Sequence, residues 1–504
     1  MKYNSSGGPR QCASVFRKLY GAGTRAGLHK ARRRFRLKLC AADVTDICRG
    51  PQEKHADKMQ MSEDTPNKLT RSVHITNYYH SLSGGVKTNY DRLLKAANER
   101  QRYVSLIVPD EAASVENVGD HAKIYRIAAP PSRFIDKRYR TILPTHYLQT
   151  GTPVRTVLLA EMPQMIEVYD NASVVPFAAV VRKGFFSRLG RPMLVYFTGE
   201  RFDTIFKTFV IGGRIGAAVS RNLMGNFILQ MFDYFIANSE FVAEEIYTAT
   251  EKYARANYRI HNSLGKFFKT LPETVRERVR ICPRGVDTEL FSPANRSEAF
   301  RSEIIAKSGL PKDAKIMLSS TRLSTEKNVE LLPHIMHHAA RSADYKFFLL
   351  IAGDGPRKDD LKAAAENLCP GRVVFVGHID KPTLARYYAN ADVFIHPNPR
   401  EPFGNVGLEA MASGTAILAP NSGGILTYAD KDNAWLVEPT AESFAAALSE
   451  IADSASERLR RIDNGLAAAA QNSQANSMSR LFATYDELYA DFRARGLTNP
   501  RQKG

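Results

Sequence analysis

Two glutamates stand seven residues apart in Glu401-Pro-Phe-Gly-Asn-Val-Gly-Leu-Glu409, and a proline, an aromatic and a glycine turn the chain just after the first. The apolar run Val393-Phe-Ile-His-Pro397 ahead of it reads as a strand, and Ala410-Met-Ala-Ser-Gly414 as a short helix closed by glycine. A helix start presents unpaired backbone N–H groups and partial positive charge, which suit a phosphate or a developing anion. Two carboxylates beside such a site suit the hydroxyls of a sugar nucleotide rather than its phosphates. The plainer alternative pairs Glu409 with a lysine and leaves Glu401 solvated.

Three more stretches carry possible chemistry. Thr321-Arg322-Leu-Ser-Thr-Glu-Lys327 follows an apolar strand and enters a helix through Asn328, so Arg322 and Lys327 share one loop. Two cations there can neutralise a diphosphate leaving group as its charge develops. Ser83-Gly84-Gly85 precedes a helical pattern, where missing side chains let a ligand approach the backbone; a plain tight turn uses the same residues. Ala352-Gly353-Asp354-Gly355-Pro356 and Val376-Gly377-His378 also end strands, with backbone groups able to frame a nucleobase. The first lacks the full G-x-G-x-x-G pattern, so dinucleotide binding is not indicated.

These loops need strands beneath them. Strand patterns fall at 73–77, 103–109, 123–129, 165–170, 193–198, 234–238 and 279–283, and a second series at 315–320, 346–352, 373–377, 393–396, 416–419 and 435–437. Helical patterns separate most of them, and many are continuous apolar runs, as buried parallel strands are. The expected fold class is α/β, with two doubly wound Rossmann-like domains facing a cleft. The boundaries are 1–70 for a basic extension, 71–290 for the first domain, 291–473 for the second, and 474–496 for a helix returning to the first domain.

Length and composition agree: 504 residues exceed one ordinary core, and 44% hydrophobic content is normal for a globular protein. The net charge of +18 is concentrated, because residues 1–42 hold 11 Lys/Arg and no Asp/Glu, leaving +7 for the rest. That tail lacks the aromatic interleaving or helix-turn-helix signal of specific nucleic-acid recognition. It reads as a disordered extension or anionic-membrane tether, with Met59 or Met61 as alternative translation starts. Five cysteines without CxxC or His-Cys spacing indicate neither a disulfide framework nor a zinc site. No long apolar span is present, so the expected location is cytoplasmic, with peripheral contact at the inner face of a membrane.

Taken in order, Gly84-Gly85, Asn238-Ser239-Glu240-Phe241-Val242, Pro283-Arg284-Gly285-Val286-Asp287-Thr288-Glu289-Leu290-Phe291, Arg322 with Lys327, and Glu401 through Glu409 resemble retaining glycosyltransferases of family 4, which have the GT-B fold. The likeness covers about residues 72–495. It implies transfer of a hexose-type sugar from a UDP- or GDP-linked donor to a glycan, glycolipid or small-molecule acceptor, in cell-envelope or polysaccharide biosynthesis. No metal or cofactor is implied. Glu401, Arg322 and Lys327 would be catalytic, with the two cations on the diphosphate. Gly84, Gly85, Gly377, Phe403, Gly404, Asn405, Val406 and Glu409 would bind the donor, Glu409 at the ribose.

The chain departs from that pattern in three places. Tyr196-Phe-Thr-Gly-Glu200-Arg-Phe-Asp203 stands where many members place a histidine, which makes Glu200 and Asp203 acceptor-side candidates. Asn328 replaces a usual glycine, and Thr427 a usual glutamate. Acceptor candidates in the first domain are the basic residues Arg133, Lys137, Arg138 and Arg140, and the apolar stretch 223–232, which reads first as a core helix. The competing functions are a sugar-nucleotide epimerase or hydrolase on the same scaffold, and a non-catalytic basic protein that binds membrane or nucleic acid.

Overall fold

The structure, a computed structural model, describes residues 68–80, 84–132, 139–170, 173–204, 213–251, 275–341 and 346–497. The tail through residue 67, Ser83 of the glycine loop, and Arg133, Lys137 and Arg138 lie outside the described residues.

Nearly continuous apolar runs build two sheets, each packed on both faces. The first contains β1 (Arg71–Thr76), β2 (Tyr103–Asp110), β3 (Ser114–Asn117), β4 (Ala122–Ala128), β5 (Met165–Tyr169), β6 (Met193–Thr198), β7 (Tyr234–Ala237) and β8 (Val279–Ile281), in the order β3-β4-β2-β1-β5-β6-β7-β8. The second contains β9 (Lys315–Ser320), β10 (Phe347–Ala352), β11 (Val373–Gly377), β12 (Val393–Ile395), β13 (Ala416–Pro420) and β14 (Trp435–Val437), in the order β11-β10-β9-β12-β13-β14. Every pairing in the second sheet is parallel. On β2, Val104, Leu106 and Val108 enter one core layer and Ile107 the opposite one; on β10, Leu350 and Ile351 divide in the same way. That two-sided burial is why these strands read as unbroken apolar runs.

The helix Gln474–Ala494 crosses back to the first sheet. Its Leu481, Phe482, Tyr485, Leu488 and Phe492 share a core layer with Tyr90, Leu93, Leu106 and Tyr234. Polar contacts fix its register: Arg102 Nη1 lies 2.6 Å from Asp486 Oδ1, and the Tyr485 hydroxyl donates to Glu167 Oε2 at 2.6 Å. The apolar stretch 223–232 is core, with Met224, Ile228, Leu229 and Phe232 buried. No helix among the described residues is long and apolar enough to cross a membrane.

Two local expectations are corrected. Ser114–Asn117 forms an antiparallel edge strand against β4; all four residues are exposed, so no apolar alternation marked it. Asn328 does not open a helix. It closes the 3-10 turn Thr325–Lys327 with φ +53°, and the helix starts three residues later at Leu331–Ala339. Asparagine tolerates this left-handed conformation better than most residues, which accounts for its standing where a glycine is usual.

Candidate active site

The second sheet presents its functional loops at the carboxyl ends of β9 and β12, neighbours in the strand order. The β12 loop turns at Gly404, whose φ of +82° a glycine takes without strain, and the helix Asn405–Ala412 begins at the next residue. The Tyr428 hydroxyl donates to the Gly404 carbonyl, and Gly424 N–H donates to the Glu401 carbonyl at 2.7 Å. Phe403 is buried against the Tyr428 ring. The β9 loop is tied to the same place by Asn328, whose Nδ2 donates to the Pro397 carbonyl at 2.9 Å.

Lys327 and Glu401 therefore meet. Lys327 Nζ donates to Glu401 Oε2 at 2.9 Å and Oε1 at 3.1 Å, and Asn398 Nδ2 donates to Oε2 at 3.0 Å. Burial alone would raise the Glu401 carboxyl, but Lys327, then His396, overcome it and hold the group at about 2. Burial likewise opposes the Lys327 charge, and Glu401 more than reverses that, so its pKa rises. Arg322 is exposed in the same loop; its carbonyl accepts from the Ser324 N–H at 3.0 Å, while its guanidinium makes no hydrogen bond or ion pair among the described residues.

Glu409 lies one turn into the helix, where Tyr388 donates to its Oε2 at 3.3 Å. Burial pushes its carboxyl up to about 7, against the opposing fields of Lys381 and Arg92. Val406 packs on the same core, and Asn405 at the helix start has a buried Oδ1 without a hydrogen-bond partner.

Residues of the first domain approach this loop. Ser239 Oγ donates to the Pro402 carbonyl at 2.5 Å, and Arg400 Nη2 lies 3.2 Å from both Asp203 carboxylate oxygens. A Cβ on Gly85 would lie 3.4 Å from Asn405 Nδ2, so the glycine pair, with Gly84 opening the helix Gly84–Glu99, faces the start of the second domain's helix. Glu200 has an exposed side chain walled by both domains; this crowding raises its carboxyl, against Lys327 and Arg284. Asp203 is buried and held by Arg201 and Arg400 rather than presented to open space. Gly377 ends β11 with φ +76° and open space at its Cα, with β10 and β9 standing between it and β12.

Sequence reasoning passed over several participants. His396 is buried with Nε2 3.8 Å from Glu401 Oε2, and burial lowers its pKa to about 4, so it is neutral near pH 7. Asn398 and His396 stood in plain view three and five residues ahead of Glu401, whereas Arg92, Lys381 and Tyr388 reach Glu409 from remote elements that no local pattern marks.

Residues 300–467 match the family model of glycosyl transferases group 1. The match takes in about a third of the chain and falls in its second domain. The matched residues contain the Lys327, Glu401 and Glu409 cluster. The sulfoquinovosyl transferase SQD2 of Arabidopsis thaliana is 34% identical over 164 residues, which are 32% of this chain and 30% of the relative. A GDP-mannose-dependent phosphatidylinositol dimannoside mannosyltransferase of Mycobacterium tuberculosis is 27% identical over 78% of this chain and 90% of its own length. The chain spans about a third of the length of the first curated relatives it matches. Among solved structures, sucrose-phosphate synthase from Thermosynechococcus elongatus superimposes with a TM-score of 0.60 at 21% identity, over 84% of this chain and all of that one. Anabaena HepE in complex with UDP and glucose gives 0.56 at 18% identity over 83% and 100%. The two-sheet architecture that the chain shares with these structures is GT-B.

Proposed function

We propose that the chain is a retaining glycosyltransferase that moves a hexose-type sugar from a nucleoside diphosphate sugar, UDP- or GDP-linked, to a glycan or glycolipid acceptor of the cell envelope, without a metal. The observation that carries this reading is the Lys327–Glu401 pair at the carboxyl end of the second sheet, beside a helix start and faced by Gly85 of the first domain. Open α/β sheets bind ligands at that edge.

In this reading Lys327 and Arg322 meet the charge that grows on the departing diphosphate, the largest electrostatic demand of the step. Glu401, oriented by Lys327 and Asn398, accepts hydrogen bonds from hydroxyls of the donor sugar; it is not the nucleophile. The acceptor hydroxyl attacks from the face the diphosphate leaves, a phosphate oxygen takes its proton, and the anomeric configuration is kept. Glu409 accepts from the ribose hydroxyls. The GDP-mannose dependence of the mycobacterial mannosyltransferase and the UDP and glucose bound to HepE support this donor chemistry. The glycolipid acceptor rests on the former protein.

Thermal-shift measurements with UDP-, GDP- and ADP-sugars test the reading. One donor class at 100 times its Kd should stabilise the fold by about 2.7 kcal/mol, by mass action. No shift with any donor would overturn it. Labelled sugar appearing only as free sugar or epimer, with or without acceptor, would favour the hydrolase or epimerase alternative. Deleting residues 1–60 should leave transfer unchanged.

A further inference from the structure

Arg284 lies in the connection between β8 and the second domain, and its guanidinium makes no ion pair among the described residues. Its Nε and Nη2 are shut off from solvent and have no hydrogen-bond partner. Buried guanidinium donors left unpaired are costly, so an uncompensated pair in one side chain points to a partner outside the chain. The neighbours do not satisfy both. The Phe197 ring lies 5.8 Å from the guanidinium carbon, and the Tyr169 hydroxyl offers Arg284 one weak side-chain interaction against two enclosed donors. A methyl group on Gly199 would sit 2.7 Å from Arg284 Nη2 and 2.8 Å from that hydroxyl, so the absence of a side chain there is what admits the guanidinium.

The surroundings identify the kind of partner. A Cβ on Gly85 would lie 3.7 Å from Arg284 Nη1 and 3.4 Å from Asn405 Nδ2, so the guanidinium stands beside two helix starts, Gly84–Glu99 and Asn405–Ala412, one from each domain. Both ends carry partial positive charge. Arg92 adds like charge, Glu200 is the carboxylate within electrostatic reach, and the Tyr90 hydroxyl, also buried without a partner, lies in the same field. An anion that brings several acceptor oxygens meets all of these demands, and a forked guanidinium suits phosphate.

We infer that Arg284 is a third cation for the donor's diphosphate, supplied from the interdomain connection beside Gly85 and Asn405; this rests on the proposed glycosyltransferase reading. The position beside Asn405, on the helix that carries Glu409, assigns it to the donor rather than to a phosphorylated acceptor.

The test is calorimetric binding of UDP, UMP, GDP and GMP to the full chain and to Arg284→Gln and Arg284→Lys, with acceptor KM measured in parallel. Arg284→Gln should weaken the favoured nucleoside diphosphate by at least 10-fold and its monophosphate by less than 3-fold, and Arg284→Lys should fall between, because lysine keeps charge without the fork. If Arg284→Gln does not fold, the lysine variant decides, with a loss of at least 3-fold in diphosphate preference expected. An unchanged diphosphate to monophosphate ratio in the folded variants overturns the inference, as does a rise in acceptor KM with donor binding intact. If the parent chain binds none of the four nucleotides, the glycosyltransferase reading fails instead.

Discussion

Lys327 and Glu401, 74 residues apart in the chain, meet with Nζ within 3.1 Å of both carboxylate oxygens. The pair joins the loops after β9 and β12, so the cation beside the expected leaving group and the carboxylate beside the expected sugar are set by one contact. Neither charge is isolated: Lys327 keeps about a quarter of its side chain exposed, at 28%, and Glu401 13%.

Replacing Glu401 with Gln should lower transfer by roughly 100-fold or more, the scale seen when a single preorganised polar contact is removed. Its effect on stability should be smaller, about 1–2 kcal/mol, because the lysine left behind reaches solvent. Lys327→Ala should weaken donor binding as well as transfer, and Arg322→Ala should do so with little change in stability, since Arg322 is exposed. Steady-state kinetics beside urea denaturation separates these effects. Near-normal transfer in all three variants would remove the site from consideration.

Acid should act on the same pair. The Glu401 carboxyl sits at about 2 in the folded chain, below its ordinary 4.5. A depressed carboxyl contributes stability that is complete above its unfolded value and is lost as pH falls from 4.5 toward 2. The parent chain should therefore lose stability across that window more steeply than Glu401→Gln, measured as urea midpoints at pH 5 and about pH 3. Parallel slopes for the two proteins would contradict the pairing.

Much of this fold was readable in sequence because both faces of its strands are buried, which gives runs such as Phe347–Ala352 no polar interruption. Glu401, Lys327 and Glu409 were readable for a different reason: each sits where a strand ends and a helix begins, so local order already placed it. What local order could not carry was closure in space. Ser239 reaches Pro402 across 163 residues, and Arg400 reaches Asp203 across 197. Asp203 has one arginine partner two residues away, Arg201, and a second, Arg400, in the other domain, which local order does not show. The helix start near Asn328 was misread for a backbone reason, a left-handed turn that residue type alone does not announce.

Glu409 gives a pH dependence of opposite sign. Burial pushes its carboxyl up to about 7, so between 4.5 and 7 the folded chain holds a proton that the unfolded chain has released. Stability from this group is present below that window and lost as pH rises through it. Donor binding should move the other way, because an ionised carboxylate accepts both ribose hydroxyls. Calorimetry from pH 5.5 to about 8.5 should show donor affinity rising through neutrality in the parent and a weaker, flat profile in Glu409→Gln. A flat profile in the parent would exclude Glu409 from the ribose.

The returning helix should be needed for the first domain's stability through polar as well as apolar contact. Tyr485 donates to Glu167, whose other oxygen lies 3.0 Å from His74 Nδ1, all three residues being buried. Tyr485→Phe leaves that carboxylate one donor short and should cost about 1–3 kcal/mol by urea denaturation. Donor affinity should be unchanged, since none of the three hydrogen-bonds or ion-pairs with the Glu401 loop among the described residues. A loss of affinity without a loss of stability would mean the helix acts on the site directly.

The Glu401 loop itself rests on a close backbone approach that can be blocked. A Cβ on Gly424 would fall 1.9 Å from the Pro402 carbonyl oxygen and 2.7 Å from the Phe403 nitrogen, and neither is a flexible side-chain end that can swing aside. Gly424→Ala must therefore push the 401–404 turn away, at a cost of about 1–3 kcal/mol for overpacking. A shift of about 1 Å in Glu401 is enough to lower transfer on the order of 100-fold. Gly371→Ala is the matched control: Gly371 has φ +71° with nothing within 4 Å of the added carbon, so it incurs backbone strain alone. It should lose about 1 kcal/mol and keep full transfer. Equal activity in the two variants, measured at saturating donor, would show that the position of the loop does not govern the reaction.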